Sequence, residues 1–206
     1  MKETDLYSEL SSIRNIMERS TKFISLSGLS GILAGIYAII GAAIGYSIVY
    51  SYRGGLRYRN YYVTDRDIIW QLFFIASGIL ILSISTGVFL TIRQAKKKGE
   101  HFWNPVSKRL LGSLAIPLIA GGLFILIQMI RGEYGVIASA CLIFYGLALV
   151  SGSQYTFSDV KWLGFCEIAL GLIAASLPGF GIVFWTIGFG VLHIIYGAIM
   201  HFKYNQ

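Results

Sequence analysis

Six apolar stretches, at roughly residues 23 to 49, 68 to 92, 109 to 130, 134 to 153, 160 to 177 and 180 to 201, take up most of this 206-residue chain. No connection between them is long enough to fold as a separate soluble domain. A helix rises about 1.5 Å per residue, so roughly 20 residues cross the hydrocarbon of a bilayer. The chain is 55% hydrophobic and 13% charged, about half the charge a soluble surface needs. The pattern predicts an all-α polytopic membrane bundle: six transmembrane helices arranged as three hairpins (23–206), preceded by a cytoplasmic amphipathic helix (1–22).

Basic residues set the orientation, because short cytoplasmic segments retain Lys and Arg. With the N-terminus inside, the inner segments hold Lys2, Arg14, Arg19, Lys22, Arg93, Lys96, Lys97, Lys98, Lys108, Arg109, Lys161 and Lys203. The outer segments hold only Arg53, Arg57, Arg59, Arg66 and Arg131. Both termini are therefore expected in the cytoplasm. The net charge of +7 follows from this asymmetry and from attraction to anionic lipid, with no direct nucleic-acid partner implied. Acids and bases spread through residues 1–20 do not suit a cleavable signal, so the first span is expected to remain.

The tryptophans agree with this register, since Trp prefers the headgroup level. Trp70 and Trp185 open spans from the outside, and Trp103 and Trp162 lie at the inner ends of the third and fifth. Asn104-Pro105 reads as an N-cap and first-turn pair. Pro178-Gly179 reads as a tight turn between the last two spans, and Pro117 is expected to kink the third. Glycines recur at close-packing spacing: Gly28, Gly31, Gly35, Gly41 and Gly45 in the first span, Gly164 and Gly171 in the fifth, Gly190 and Gly197 in the sixth. Small faces serve either dimerisation or packing within one subunit; with six helices to pack, the second is expected, and a homo-oligomer stays open.

Leu6, Leu10, Ile13 and Met17 fall at helical spacing, with Glu9, Arg14, Glu18 and Arg19 around the rest of the cylinder. Such a helix lies on the membrane, packs beneath the bundle or docks a cytoplasmic protein. Arg14, Arg19 and Lys22, with Lys96, Lys97 and Lys98 of the inner loop, are the candidate contacts for acidic lipid or that partner. The first outer loop, with Tyr52, Arg53, Arg57, Tyr58, Arg59, Tyr61 and Tyr62, suits an anionic ligand or interfacial anchoring equally.

Two ionisable residues lie deep in spans: Glu167 in the fifth and His193 in the sixth. Counted from Gly179 they lie roughly 18 and 21 Å along their helices at about 1.5 Å per residue, so they share a depth. An intramembrane carboxyl needs a proton, a partner or water. The pair either binds or relays a proton, or staples the last hairpin by a hydrogen bond; one acid and one imidazole are fewer ligands than a metal wants. Gln128 in the third span and Tyr145 in the fourth are placed as extensions of this polar site, with Ser77, Ser83, Ser85 and Thr86 of the second. Cys141 and Cys166 read as small buried hydrophobes. The chain has no P-loop, paired-histidine metalloprotease signature or serine nucleophile elbow, so neither enzyme activity nor a cofactor is expected.

Met17-Glu18-Arg19-Ser20-Thr21-Lys22-Phe23-Ile24-Ser25-Leu26-Ser27-Gly28-Leu29-Ser30-Gly31, with Arg93-Gln94-Ala95-Lys96-Lys97-Lys98-Gly99, Trp103-Asn104-Pro105 and Gly188-Phe189-Gly190-Val191-Leu192-His193, resembles an uncharacterised family of small bacterial six-span membrane proteins over nearly the whole chain. The resemblance implies the same topology, a bacterial inner membrane and, through neighbouring winged-helix regulators, a sensory or regulatory setting. It supplies no activity and no site residues. The leading expectation is a non-enzymatic inner-membrane protein that acts through a cytoplasmic partner or lipid; the alternative is a small transporter or proton-coupled channel using Glu167 and His193.

Overall fold

The computed structural model describes residues 27–50, 66–97, 99, 102–177 and 179–204. The amphipathic segment with Arg14, Arg19 and Lys22, the tyrosine- and arginine-rich outer loop, and Lys98 lie outside the described residues. Every regular element among them is helical: α1 (Gly28–Tyr50), α2 (Arg66–Lys97), α3 (Pro105–Arg131), α4 (Ile137–Gly152) between single 3-10 turns at Tyr134–Val136 and Ser153–Tyr155, α5 (Asp159–Ser176), and α6 (Gly181–Tyr204). Within α6 a π-helical stretch, Thr186–Leu192, separates the first turn from the α-helical remainder that starts at His193.

Local chemistry sets the ends. Asn104 caps α3 through its Oδ1, which accepts from the Ser107 amide at 2.8 Å, while Ser107 Oγ accepts from the Asn104 amide at 2.9 Å, a reciprocal capping box. α3 then runs unbroken through Pro117 to Gly132, whose φ of 78° lets its amide close the last turn onto Met129. Gly179, at φ 100°, makes the turn from α5 to α6.

Five of the helices, α1, α2, α3, α4 with its flanking turns, and α6, are long and apolar enough to cross a membrane. α5, at 18 residues, reaches roughly 27 Å at about 1.5 Å per residue but carries Asp159, Lys161 and Glu167. The outer surface is apolar: Phe74, Ile81, Phe89, Ile116 and Ile130 are all mostly exposed, a belt that a water-facing protein does not carry.

The tightest seams run between the hairpins expected from the sequence, not within them. α4 packs most closely on α5, and α1 on α6. α6 occupies the middle, touching α1, α4 and α5; α2 flanks α1, and α3 flanks α4. Glycine explains the seams. A Cβ on Gly197 would lie 2.7 Å from the Gly28 carbonyl oxygen and 2.5 Å from the Ile32 amide nitrogen. Across α4–α5, a Cβ on Gly146 would meet the Gly164 carbonyl at 2.6 Å, and one on Gly171 would meet Ile143. The glycines of α1, α5 and α6 singled out from the sequence thus face neighbours within the same chain. Cys141 is half-buried, but Cys166 lies on the exposed face of α5, because the seam glycines Gly164 and Gly171 and the buried Glu167 occupy the opposite side.

A buried carboxyl, imidazole and phenol as the candidate functional site

Where α4, α5 and α6 converge, three polar side chains meet. Glu167 of α5 is fully buried, and His193 of α6 is 7% exposed. Glu167 Oε1 lies 3.5 Å from His193 Nδ1. The other ring nitrogen, Nε2, lies 2.8 Å from the Tyr145 hydroxyl of α4, and the Tyr145 ring also packs at a tilt against Phe189 with ring centroids 5.1 Å apart.

The bonding fixes the imidazole tautomer. Nδ1 lies 2.9 Å from the Gly188 carbonyl oxygen, which only accepts, so Nδ1 carries the hydrogen and donates. In neutral His193, Nε2 is then the acceptor for the Tyr145 O–H. A second proton on the ring would sit on Nε2 and reverse that bond, with the Tyr145 oxygen accepting. The ring therefore takes or gives a proton without losing either partner.

The π turn makes this arrangement possible. It shifts backbone bonding from four residues to five and loosens the ladder locally, as π segments at functional sites do. The Gly188 carbonyl thereby comes within reach of the His193 ring. Gly188 also makes room for the acid: a Cβ there would lie 2.5 Å from Glu167 Oε2 and 2.5 Å from Leu142 Cδ2.

Glu167 itself is poorly served. Neither of its carboxyl oxygens has a hydrogen-bond partner, and the nearest donor, Nδ1–H, is committed to Gly188. An isolated carboxylate in such a place costs on the order of several kcal/mol. The simple hydrogen-bonded staple is therefore not what the geometry provides; the acid is close to the imidazole but not bonded to it.

Of the residues grouped with this site from the sequence, Tyr145 arrives and Gln128 does not. Gln128 is half-buried in the last turn of α3, which packs on α4 rather than on α5 or α6. Thr86 of α2 meets the Tyr37 hydroxyl of α1 at 3.5 Å, an interhelical contact remote from Glu167. Ser77, Ser83 and Ser85 also lie on α2, whose packing is on α1. Lys96 and Lys97 are exposed in the last turn of α2, where cations suit the helix dipole. A groove of about 320 Å³ between α1 and α2, lined by Tyr37, Gly41, Phe74 and Gly78 among others, is apolar and does not reach Glu167 or His193. Among the described residues no group of three or more His, Cys, Asp or Glu converges as metal ligands do.

Sequence reasoning overlooked a second polar cluster at the end of the bundle where α5 begins and α6 ends. Asp159 Oδ2 accepts from Lys203 Nζ at 2.8 Å and from the Tyr204 hydroxyl at 2.8 Å. Burial pushes the Asp159 carboxyl up, but the hydrogen bonds from Lys203 and Tyr204 outweigh it and hold the group below the ordinary aspartate value. A carboxyl depressed on folding contributes stability above its unfolded value, and that contribution is lost as pH falls through the folded value. The difference in thermal midpoint between the wild type and Asp159→Asn is therefore expected to be present at neutral pH, to begin to shrink near the ordinary aspartate value of about 4, and to vanish only below the depressed folded value. A difference that persists undiminished in acid would show that the carboxylate is not what holds this end together.

Comparison with known proteins finds no matching family, no similar curated protein and no similar solved structure.

Proposed function

We propose that this chain is a non-enzymatic integral membrane protein of a bacterial plasma membrane, with six spans and both termini inside, acting in a sensory or regulatory role through a cytoplasmic partner or acidic lipid. The observation that carries this reading is the condition of Glu167: fully buried, with both carboxyl oxygens unpartnered, beside an imidazole that is bonded at both nitrogens. One proton gained or lost there changes the charge of a fully buried site by a full unit. The loosened π turn lies against the same carboxyl, in the helix that touches α1, α4 and α5. A change in protonation therefore acts on the one element that links both sides of the bundle. Its far end carries Lys203, on the face where Lys96 and Lys97, with Arg14, Arg19, Lys22 and Lys98 of the sequence, would meet lipid or a partner.

The test is a pH titration of the protein in lipid nanodiscs, followed by tryptophan fluorescence and backbone hydrogen exchange across α6. The wild type is expected to show a pH-dependent transition, and Glu167→Gln is expected to abolish it. An identical transition in Glu167→Gln would remove the acid from the sensing role.

The unpartnered carboxyl also favours a second reading, a proton-coupled transporter or channel that uses Glu167 and His193. That reading requires solvent to reach the pair in part of a cycle. Proteoliposomes that pass protons or a co-substrate in the wild type, and not in Glu167→Gln or His193→Ala, would put it first.

A further inference from the structure

Two parts of α6 are held by different neighbours. The first turn, Gly181–Trp185, packs mainly on α4, where a Cβ on Gly181 would lie 2.9 Å from the Ala138 Cβ. From Gly190 onward the helix is seated on α1: a Cβ on Gly35 would meet the Gly190 carbonyl oxygen at 2.6 Å, and Gly197 meets Gly28 backbone to backbone. The π stretch Thr186–Leu192 is the joint between the two parts. Closing a π turn to α-helical bonding changes the step between its ends by one residue, about 1.5 Å along the axis.

At this joint the His193 Nδ1–H has two acceptors within reach. It donates to the Gly188 carbonyl at 2.9 Å, and Glu167 Oε1 lies 3.5 Å away. A neutral carboxyl competes weakly for that hydrogen, whereas a carboxylate competes strongly, because a charge-assisted bond is roughly twice as strong as a neutral one. The other groups around the acid do not serve it. On α4 the Tyr145 hydroxyl is engaged with Nε2, and Cys141, one turn away, offers only a thiol. On α6, Tyr196 packs toward Phe157 and Val160. α1 carries no charged residue from Gly28 to Tyr50. On α5 itself the nearest charge is Lys161, six residues or about 9 Å along the helix.

We propose that the His193 Nδ1–H is a two-position switch, held by the Gly188 carbonyl while Glu167 is protonated and by Glu167 once the acid is ionised, and that the exchange closes the π turn of α6. This rests on the protonation reading above and gives it a movement. On ionisation the Glu167 O–H bond breaks and its proton leaves to water; the ring keeps the Nδ1 hydrogen and turns it to the carboxylate. The Gly188 carbonyl, in a buried residue, then needs another donor. An α-helix supplies one four residues on, the Leu192 amide. With that bond made, the part of α6 seated on α1 steps by up to about 1.5 Å against α4 and α5, the size of helix shift that switching proteins use. Asp159 of α5 holds Lys203 and Tyr204 of α6 at 2.8 Å across the same boundary, so the step bears directly on that end of the bundle.

The experiment pairs two measurements on the full chain in lipid nanodiscs across a pH series. Infrared spectroscopy follows the carboxyl C=O band that is missing in Glu167→Gln, and hydrogen exchange follows the backbone amides between Thr186 and His193. As the band disappears with rising pH, exchange of these amides is expected to slow by about five- to tenfold, the worth of one backbone hydrogen bond. His193→Phe, which keeps a ring and removes the Nδ1–H, is expected to lose that response. A band that does not change with pH, or no band at all, would overturn the protonation reading and the switch with it. A band that disappears while exchange is unchanged or faster would overturn the switch alone, in the wild type and without recourse to any variant. A wild-type response in His193→Phe would do the same, since the acid would then act on α6 without the ring.

Discussion

Replacing Gly197 by leucine is expected to force α1 from α6 and to destabilise the protein by about 3 kcal/mol or more, the upper part of the usual range for overpacking. The neighbours that a side chain would meet there are the Ile32 amide, the Gly28 carbonyl and the Gly31 carbonyl carbon, all backbone. Backbone does not swing aside as a flexible side chain does, so the helices must separate along their seam. For a chain of this length such a loss corresponds to roughly 6–12 °C in thermal midpoint. The same substitution at Gly78 of α2 or Gly122 of α3, where a new Cβ has nothing within 4 Å, is expected to leave the midpoint unchanged. Melting curves of the three variants in lipid nanodiscs separate the outcomes. Equal losses at all three positions would mean that the outward glycines pack too, and that a second copy of the chain covers α2 and α3.

That contrast shows which part of the fold was legible. Six apolar runs with terminal caps located the helices to within a few residues, because helix length and apolarity are properties of the segment alone. Rotation and neighbour are not. Gly78 and Gly197 look alike in the sequence, yet one faces outward and the other touches a backbone. Gln128 and Tyr145 are both polar residues in apolar runs, and only the side on which α4 packs brings Tyr145 to His193. The shared depth of Glu167 and His193 was readable because both are counted from the Gly179 turn and helical rise is constant. The π turn at Thr186–Leu192 left no periodicity signal, since an apolar stretch reads the same with four- or five-residue bonding. Asp159, Lys203 and Tyr204 left no shared signal, because their meeting depends on how the start of α5 lies against the end of α6.

Glu167→Lys and Glu167→Gln are expected to part sharply, and the size of the gap reports how the proton is held. Lysine is longer, and the space it would enter is closed by Leu142, which is fully buried, and by Gly188, where even one added carbon would press on the carboxyl. A lysine charge in a span costs about 2.5–3.5 kcal/mol on insertion scales, and overpacking adds about 1–3. A loss of about 4 kcal/mol or more is expected, seen as failure to accumulate in the membrane or as collapse of the folded fraction in detergent. Glutamine matches the protonated acid in shape and neutrality and strands no charge, so it is expected to stay within about 1 kcal/mol of the wild type. An ionised Glu167 balanced by a cationic His193 would behave differently: removing one member of a buried pair leaves the other uncompensated and costs about 3–5 kcal/mol. Severe destabilisation by glutamine would therefore assign the proton to His193, and tolerance of glutamine to Glu167. Tolerance of lysine would mean that water reaches the site, and would move the transporter reading ahead of the sensor.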